Sequence, residues 1–344
     1  MTTEHKSLLW KLLSETVGEA QTEELFHTIE ITPALLQQGA ETRIASRAVV
    51  AQAMTMILFR KLVDNVPEGR RYVSDKLAGG EKIVFDHGAV RTVCGVDCGA
   101  LPEGRASIAR ILEPLGFERV EEYPLARLKM MGHAYCHADL PEDIAQFFVS
   151  ELDTSQFSDD FRAAAERVIK TSRDPLSDRS KAALSLLADT GALPTDEAPS
   201  LLADLARAFD RQHSVPTRRD YEILKTESDE MAWIATEGTF FNHLTDRVAD
   251  VEGLADQLRA KGQPIKDKVE VSKDKTVLQT AYKATMVRRY MIGEDGTLTP
   301  YQVPGSFVEF ITRHKSLNTP DKMDLRFDSS NAQGIFKMTA AAAE

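Results

Sequence analysis

Two short segments of the chain repeat one arrangement of polar residues: Phe, Asp or Asn, His, any three residues, Arg. The first copy begins at Phe85 and the second at Phe241. If each copy is a β-strand, side chains alternate between two faces, so the His and the Arg of one copy point to the same side. The four side chains are His87, Arg91, His243 and Arg247. A single buried histidine is usually a hydrogen-bonded core residue, but two matched histidines with a carboxylate farther along the chain favour a site.

The carboxylate is Glu309, which stands among apolar residues in the segment 306–313. A buried carboxylate needs a cation or strong hydrogen-bond donors, because an isolated buried charge is costly or forces protonation. Arg313 would share a strand face with Glu309, so an ion pair explains this strand as well as metal binding does. Two neutral imidazoles and one carboxylate, however, form the facial set that suits non-haem Fe(II), and zinc also accepts these ligands. The balance therefore favours His87, His243 and Glu309 as metal ligands.

The two arginines indicate the class of substrate. A guanidinium offers a planar fork that binds a carboxylate through two hydrogen bonds. Arg91 and Arg247 each lie one strand repeat beyond a proposed ligand, so we predict that they bind substrate carboxylates. The alternative is a structural ion pair with Asp86, Asp246 or another acid, and for Arg247 the two interpretations carry similar weight.

A competing pair of ligands lies in the segment 132–139, which contains His133 and His137 with Tyr135 between them. On a helix, two histidines four residues apart would form a metal-binding pair. Gly132 and Tyr135 favour a strand instead, and there we predict that His133 and Tyr135 line the substrate pocket. The sequence has no Gly-rich phosphate loop, no Gly-x-Ser-x-Gly elbow and no Cys-x-x-Cys pair, which argues against nucleotide binding and serine hydrolysis.

Charge and hydropathy exclude several partners. The 344 residues include 42 Lys and Arg against 53 Asp and Glu, and the net charge is -11 at pH 7. An acidic protein of this kind is not expected to bind nucleic acid or an anionic membrane surface. The longest apolar run, 48–59, is too short to cross a bilayer. Residues 1–14 lack the apolar region of a signal peptide, so the cytoplasm is the expected location.

The periodicity of apolar residues predicts an α+β protein with two similar halves. Each half is a strand-rich module of the order β-α-β-β, opened by one copy of the His and Arg segment. Helices are predicted before the first module and between the two modules, and the whole is expected to form one compact catalytic unit. The predicted segments are a helical cap over 1–80, a first module over 81–157, a helical insert over 158–238, and a second module over 239–344 with the Glu309 strand and a C-terminal tail.

One further helix is predicted at the end of the first module. It begins at Asp139, with Pro141 in the first turn and acidic residues near its N-terminus. Its apolar face would carry Ile144, Phe147, Phe148 and Leu152.

Four separated motifs are similar to those of the 2-oxoadipate dioxygenase/decarboxylase family, whose members were long grouped with glyoxalase-like proteins of unknown function. The motifs lie at 85–93, 137–152, 242–247 and 304–310, and the resemblance extends over roughly residues 80 to 315. The chain resembles a short form of this family, and it has Asp246 where the family has proline.

This resemblance implies a fold akin to that of the vicinal-oxygen-chelate enzymes, in which paired modules form a curved mixed sheet around one Fe(II). It implies that His87, His243 and Glu309 are the metal ligands and that Arg91 binds the substrate carboxylate. The implied reaction, a step of lysine catabolism, converts 2-oxoadipate and O2 into 2-hydroxyglutarate and CO2.

Other functions stay open alongside this one. The substrate could be a different 2-oxo acid. A glyoxalase-type isomerase or lyase would use Zn, Ni or Mn at the same ligands and would not consume O2. A non-catalytic protein could use the arginines to sense a dicarboxylate.

Overall fold

The computed structural model describes residues 4–317 and 319–327, so the first three residues and the predicted tail beyond 327 lie outside it. The described residues form an α+β fold. Its strands are β1 (Ile44–Ser46), β2 (Phe85–Cys94), β3 (Phe117–Leu125), β4 (Met130–His137), β5 (Gln146–Asp153), β6 (Ala192–Pro194), β7 (His243–Arg247), β8 (Glu270–Val271), β9 (Val277–Ala281), β10 (Met286–Ile292), β11 (Leu298–Pro304) and β12 (Phe307–Arg313). Its helices are α1 (Leu8–Val17), α2 (Glu19–Thr28), α3 (Arg47–Asn65), α4 (Pro67–Ala78), α5 (Ala106–Leu112), α6 (Asp159–Ile169), α7 (Asp178–Thr190), α8 (Ala198–Ala208), α9 (Arg218–Glu227), α10 (Asp229–Glu237) and α11 (Val251–Ala260).

Eight of the strands form one curled mixed sheet in the order β3-β4-β5-β2-β7-β12-β9-β8. β2 runs parallel to β5, and β7 runs parallel to β12. β2 and β7 are antiparallel and join the two halves at the centre of the sheet. β12 is therefore the counterpart of β5, and the two copies of the His and Arg segment are neighbouring strands.

The predicted helix from Asp139 to Leu152 is wrong. Residues 138–144 form bends and one turn, and β5, which pairs with β2 and β4, begins at Gln146. The apolar residues divide between the two faces of this strand, with Phe147 on one and Phe148 on the other. A strand buried on both faces is almost continuously apolar, and periodicity alone does not separate such a run from a buried helix. The first module is therefore β-α-β-β-β.

Helices cover both faces of the sheet. On the face that we call the outer face, Val90 and Phe310 belong to a core that includes α1, α3, α7 and α8. On the opposite face, called the inner face, Ala89 and Phe307 pack with residues of α6, α9 and α10. The predicted helical insert thus supplies helices to both faces.

Helix α3 lies at the centre of the outer layer. Ser46 caps its N-terminus by accepting a hydrogen bond from the amide of Val49, and apolar residues all around the helix are buried. None of the helices in the described residues is long and apolar enough to span a bilayer. The division of the chain into four segments stays a prediction.

Candidate metal centre

Three neighbouring strands bring two imidazoles and one carboxylate together on the inner face. His87 lies on β2, His243 on β7 and Glu309 on β12. The two Nε2 atoms are 3.4 Å apart, and each lies 3.9 Å from an oxygen of Glu309. One ligand atom from each residue lies within 4.8 Å of the other two, and residues 4–317 and 319–327 contain no other group of three His, Cys, Asp or Glu that could hold a metal.

Burial sets the protonation of these three side chains. It lowers the pKa of both imidazoles, so each is neutral at pH 7 and offers a lone pair. It raises the pKa of Glu309 to about 8. A divalent cation would supply the positive charge that the buried carboxylate needs, while the imidazoles serve as neutral ligands. The donor set therefore fits a metal ion, and both Fe(II) and Zn²⁺ accept it.

Hydrogen bonds to both ring nitrogens fix the orientation of His87. Nδ1 donates to Oδ1 of Asp86 at 2.8 Å, and Nε2 accepts from Oγ1 of Thr245 at 3.0 Å. Because an ionised aspartate only accepts, the proton lies on Nδ1, and the one lone pair of Nε2, which accepts from Thr245 here, is the pair that a metal ion would take over. Sequence reasoning missed Thr245, although strand alternation places it on the same face as His243.

Asp86 is fully buried and is the acid that two arginines bind. Arg313 donates to both carboxylate oxygens at 2.9 Å, and Arg247 donates through Nε at 2.7 Å. Burial alone would raise the pKa of Asp86, but the two arginines and His87 hold it well below its ordinary range. Arg313 is thus the partner of Asp86 and not of Glu309. Arg247 thus forms the structural ion pair with Asp86 that was the alternative interpretation, and its binding of substrate stays a prediction.

Arg91 lies on the same face of β2 as His87, as the sequence predicted. Its Nη2 is 3.2 Å from Oε2 of Glu230, and its guanidinium lies 5.3 Å from the ring centre of Trp233. Both partners belong to α10, and sequence reasoning missed them because nothing in the helix indicates its neighbour in space. The burial of Arg91 lowers its pKa, and the burial of Glu230 raises the pKa of that carboxyl. A carboxylate ligand would meet a buried cation here.

His133 and Tyr135 lie on the outer face and do not line the inner face, which corrects their predicted role. Tyr135 belongs to the outer core, and its hydroxyl accepts a hydrogen bond from Arg105 at 2.7 Å. His133 and His137 share this face with Tyr135, since side chains alternate along β4. His137 accepts hydrogen bonds from the amides of two residues in the following turn, so it caps that turn. The strand itself was predicted, but its orientation toward the centre was not deducible from the sequence.

An aromatic side chain far along the chain covers the centre from the inner side. The ring centre of Phe327 lies 4.8 Å from that of His87 and 4.9 Å from that of Phe148. The amide of Phe327 donates to the hydroxyl of Tyr123 at 2.9 Å, and Arg313 donates to the carbonyls of the preceding segment. No motif in the sequence pointed to Phe327.

The model of the 2-oxoadipate dioxygenase/decarboxylase family matches residues 47–337 of the chain. Curated relatives of that name, from Mycobacterium tuberculosis strain H37Rv and from Mycobacterium bovis, are each 26% identical over 240 residues. The matched part is 66% of this chain and 57% of each relative. The chain thus spans less than two thirds of the length of these relatives.

Solved structures share the fold. A glyoxalase superfamily protein from Ralstonia eutropha JMP134 is 50% identical, with a TM-score of 0.88 over 93% of this chain and 98% of that one. Hydroxyglutarate synthase from Oryza sativa, solved in complex with 2-oxoadipate, has a TM-score of 0.65 at 18% identity over 86% of this chain and 94% of that one. The enzyme from Pseudomonas putida, also in complex with 2-oxoadipate, has a TM-score of 0.61 at 18% identity over 80% and 66%. The predicted fold of paired modules is confirmed.

Proposed function

The chain belongs to the 2-oxoadipate dioxygenase/decarboxylase family, and from this premise we propose that it is an Fe(II)-dependent dioxygenase/decarboxylase of a 2-oxo diacid. The proposed substrate is 2-oxoadipate, which with O2 would give 2-hydroxyglutarate and CO2. The observation that carries the proposal is the buried set of His87, His243 and Glu309, with Arg91 on the same face of the sheet. Zn²⁺, Ni²⁺ and Mn²⁺ are the alternative metals for these ligands.

The side chains around the centre have separable roles. Fe(II) bound by these residues would supply a Lewis acid that a 2-oxo acid can chelate and that can activate O2. His87, His243 and Glu309 would hold the ion on the inner face of the sheet, the face on which Arg91 also lies. Arg91 binds a substrate carboxylate, and its charge persists because a guanidinium stays protonated even where burial lowers its pKa.

Two surrounding groups keep the centre ordered and dry. Asp86 holds His87 in the tautomer whose Nε2 lone pair faces the metal position. Phe327 packs against the imidazole of His87 and Phe307 against that of His243, while Phe148 packs against Phe327, and these rings keep bulk water away from the centre. Exclusion of water strengthens each charge interaction within the site.

The second candidate is a glyoxalase-type isomerase or lyase that needs a divalent metal but no O2. Two observations favour it: the ligand set suits zinc as well as iron, and the Ralstonia relative belongs to the glyoxalase superfamily. The two candidates differ in whether turnover continues under argon.

The test is O2 uptake and CO2 release by protein loaded with Fe(II) under argon and then mixed with 2-oxo acids and air-saturated buffer. We expect stoichiometric uptake and release with 2-oxoadipate, no turnover under argon, and loss of turnover in His87→Ala. His133→Ala is the matched control, because it removes a buried histidine from the other face of the same sheet. Turnover that persists under argon would establish the isomerase or lyase, and no turnover across a panel of 2-oxo acids would overturn the proposal.

A further inference from the structure

A second buried cation, Lys266, lies in cross-strand register with the residues of the metal centre. Its amide donates to the carbonyl of Ala281 at 2.9 Å, next to the bridge between Ile265 and Tyr282. Lys266 therefore lies beside Ala281, and Ala281 in turn pairs with Glu309 across β9 and β12. In the same register, Glu309 pairs with Thr245 on β7, and Thr245 pairs with His87 on β2.

The direction of the Lys266 side chain follows from its neighbour. Ile265 packs with Tyr282 in the outer core, and side chains alternate along extended backbone, so Lys266 points to the inner face. Adjacent strands lie about 4.8 Å apart, which places the Lys266 backbone about 10 Å from that of Glu309. The residue between them is Ala281, whose side chain is only a methyl group.

Among the residues that the structure describes, the ammonium group of Lys266 contacts one carboxylate. Its Nζ lies 3.1 Å from Oε1 of Glu270, and the other oxygen of Glu270 accepts from Gln279 at 3.2 Å. The lysine side chain is only 6% exposed. An ammonium carries three donors, and Glu270 uses one of them. As a purely structural pair the two residues would close the edge of the sheet, but that role does not require the lysine to be buried on the inner face.

Lys266 and Arg91 flank the centre from opposite sides. Arg91 lies on β2, and Lys266 lies beyond β9, with the strands of His243 and Glu309 between them. Each cation is positioned by a glutamate, Arg91 by Glu230 and Lys266 by Glu270. Two cations on either side of one metal centre match the two carboxylates of a linear diacid.

We propose that Lys266 is a specificity-determining residue that binds one carboxylate of a 2-oxo dicarboxylate while Arg91 binds the other. The proposal rests on the proposed function, in which a 2-oxo diacid is the substrate. Lys266 selects the diacid over a monoacid of equal length, because only the diacid places a negative charge at the ammonium group.

The test compares 2-oxoadipate with 2-oxohexanoate, which has the same chain length and lacks the second carboxylate. Binding is measured by calorimetry under argon on protein loaded with Ni²⁺, so that it does not depend on turnover. We expect Lys266→Met to weaken binding of 2-oxoadipate by about 10- to 100-fold, the range for a charge-assisted hydrogen bond, and to leave 2-oxohexanoate unchanged. Lys266→Arg should retain most of the preference, and Lys268→Met is the control, since Lys268 is exposed and lies two residues away.

Equal weakening of both acids in Lys266→Met would assign the residue a structural role and overturn the inference, and so would unchanged binding of both. If Lys266→Met does not fold, Lys266→Gln provides the same comparison with a polar side chain. Failure of the proposed function is a separate result. If the wild-type protein shows no turnover with Fe(II) and O2, the proposed oxygenase function is wrong. The ratio of the binding constants for 2-oxoadipate and 2-oxohexanoate would still decide the role of Lys266.

Discussion

At the scale of single residues, the two buried carboxylates near the centre differ in their partners: Asp86 has cations beside it, and Glu309 has neutral imidazoles. Asp86 is bound by two guanidiniums and stays ionised, whereas Glu309 contacts two imidazoles that burial keeps neutral. A buried carboxylate in such surroundings retains its proton. In the metal-free protein the Glu309 carboxyl therefore carries a proton, and a metal ion must displace it.

The first prediction concerns the pH dependence of metal binding. The pKa of Glu309 is raised from 4.5 to about 8 in the folded chain, so the metal-free fold loses stability as pH rises through this interval. Metal binding runs in the opposite direction, because the ion replaces the proton. We expect affinity to increase by up to about tenfold per pH unit below pH 8 and to level off above it.

Calorimetry in buffers with different ionisation enthalpies measures both the affinity and the number of protons released. Release of a proton per metal at pH 7 and of none well above pH 8 is the expected result. In Glu309→Gln the pH dependence should disappear together with most of the affinity. An affinity that is flat with pH in the wild-type protein would contradict the assignment of Glu309.

The second prediction concerns Asp86. Asp86→Asn keeps the shape of the side chain but weakens its hold on the Nδ1 proton of His87, so the imidazole loses basicity and its fixed orientation. We expect metal affinity to fall by about 10- to 100-fold, the usual effect of removing such a partner. Asp324→Asn is the control, because Asp324 is also buried and bound by an arginine but contacts neither histidine. Unchanged metal affinity in Asp86→Asn would show that the hydrogen bond to His87 has no such role.

At this scale the sequence predicted which polar side chains share a face but not which partner each one meets. Alternation along two strands placed His87 with Arg91 and His243 with Arg247, and the structure brings the two histidines together with Glu309. The partner of each arginine could not be predicted, because it lies on an element distant in sequence. Glu230, for example, reaches Arg91 from a helix whose own pattern carries no sign of the contact.

At the scale of elements, Asp246 attaches the N-terminal helices to the sheet. This residue of β7 is fully buried on the outer face and accepts hydrogen bonds from Tyr72 at 2.5 Å, from Lys76 and from the amide of Val84 at 2.9 Å. Tyr72 and Lys76 belong to α4, one turn apart. These three donors together hold α4 against the strand of His243.

The third prediction follows from this attachment. Lys76→Met removes the cation and leaves the carboxylate of Asp246 buried without it, so we expect a loss of about 3 to 5 kcal/mol in the free energy of unfolding. The double variant Lys76→Met, Asp246→Asn should recover part of the loss, because the uncompensated charge is gone. Lys261→Met, which removes an exposed salt bridge to Asp75, should cost about 1 kcal/mol or less.

Urea denaturation followed by circular dichroism measures the free energy of unfolding of the wild-type protein and of each of the three variants. A loss in Lys76→Met no larger than that in Lys261→Met would mean that Asp246 is stabilised by its other two donors alone. The slope of each transition should stay the same, since the surface exposed on unfolding does not change.

Burial on both faces of an element hid its type in one strand but not in all. The strands of His87 and Glu309, also buried on both faces, lie where the sequence placed them, because their polar residues recur with strand spacing. β5 was mistaken for a helix, because helices cover the sheet on both sides and the strand is therefore apolar on both. For the same reason the sequence did not indicate which face of β4 points to the metal centre. Its histidines are buried but lie on the opposite face.

At the scale of the whole molecule, access to the centre depends on a segment near the end of the described chain. Phe327 both packs against His87 and lines a surface cavity of about 480 Å³, together with Asp274 and Arg326. Arg313 secures this segment through two carbonyls while it binds Asp86 with its other donors. The residue that neutralises Asp86 is therefore also the residue that holds the cover in place.

The fourth prediction is that Phe327→Ala opens the centre. Loss of the ring removes the contact with His87 and lets water and chelators enter from the cavity, so a chelator should extract the metal several-fold faster than from the wild-type protein. Phe327→Leu keeps an apolar side chain of similar size and should release metal at nearly the wild-type rate. Stopped-flow mixing of metal-loaded protein with a coloured chelator measures these rates, and equal rates for all three proteins would rule out a covering role for Phe327.

The pairing of β2 with β7 has a consequence for how the chain folds. His87 and His243 are 156 residues apart in sequence, and Asp86 is 227 residues from Arg313. Contacts of such long range form late, because a large loop must close before any of them is gained. During synthesis His87 leaves the ribosome well before His243. Asp86 remains without its partner Arg313 for longer still. The centre is thus assembled only after Arg313 has emerged, and a metal ion can stabilise the finished fold but not guide its early steps.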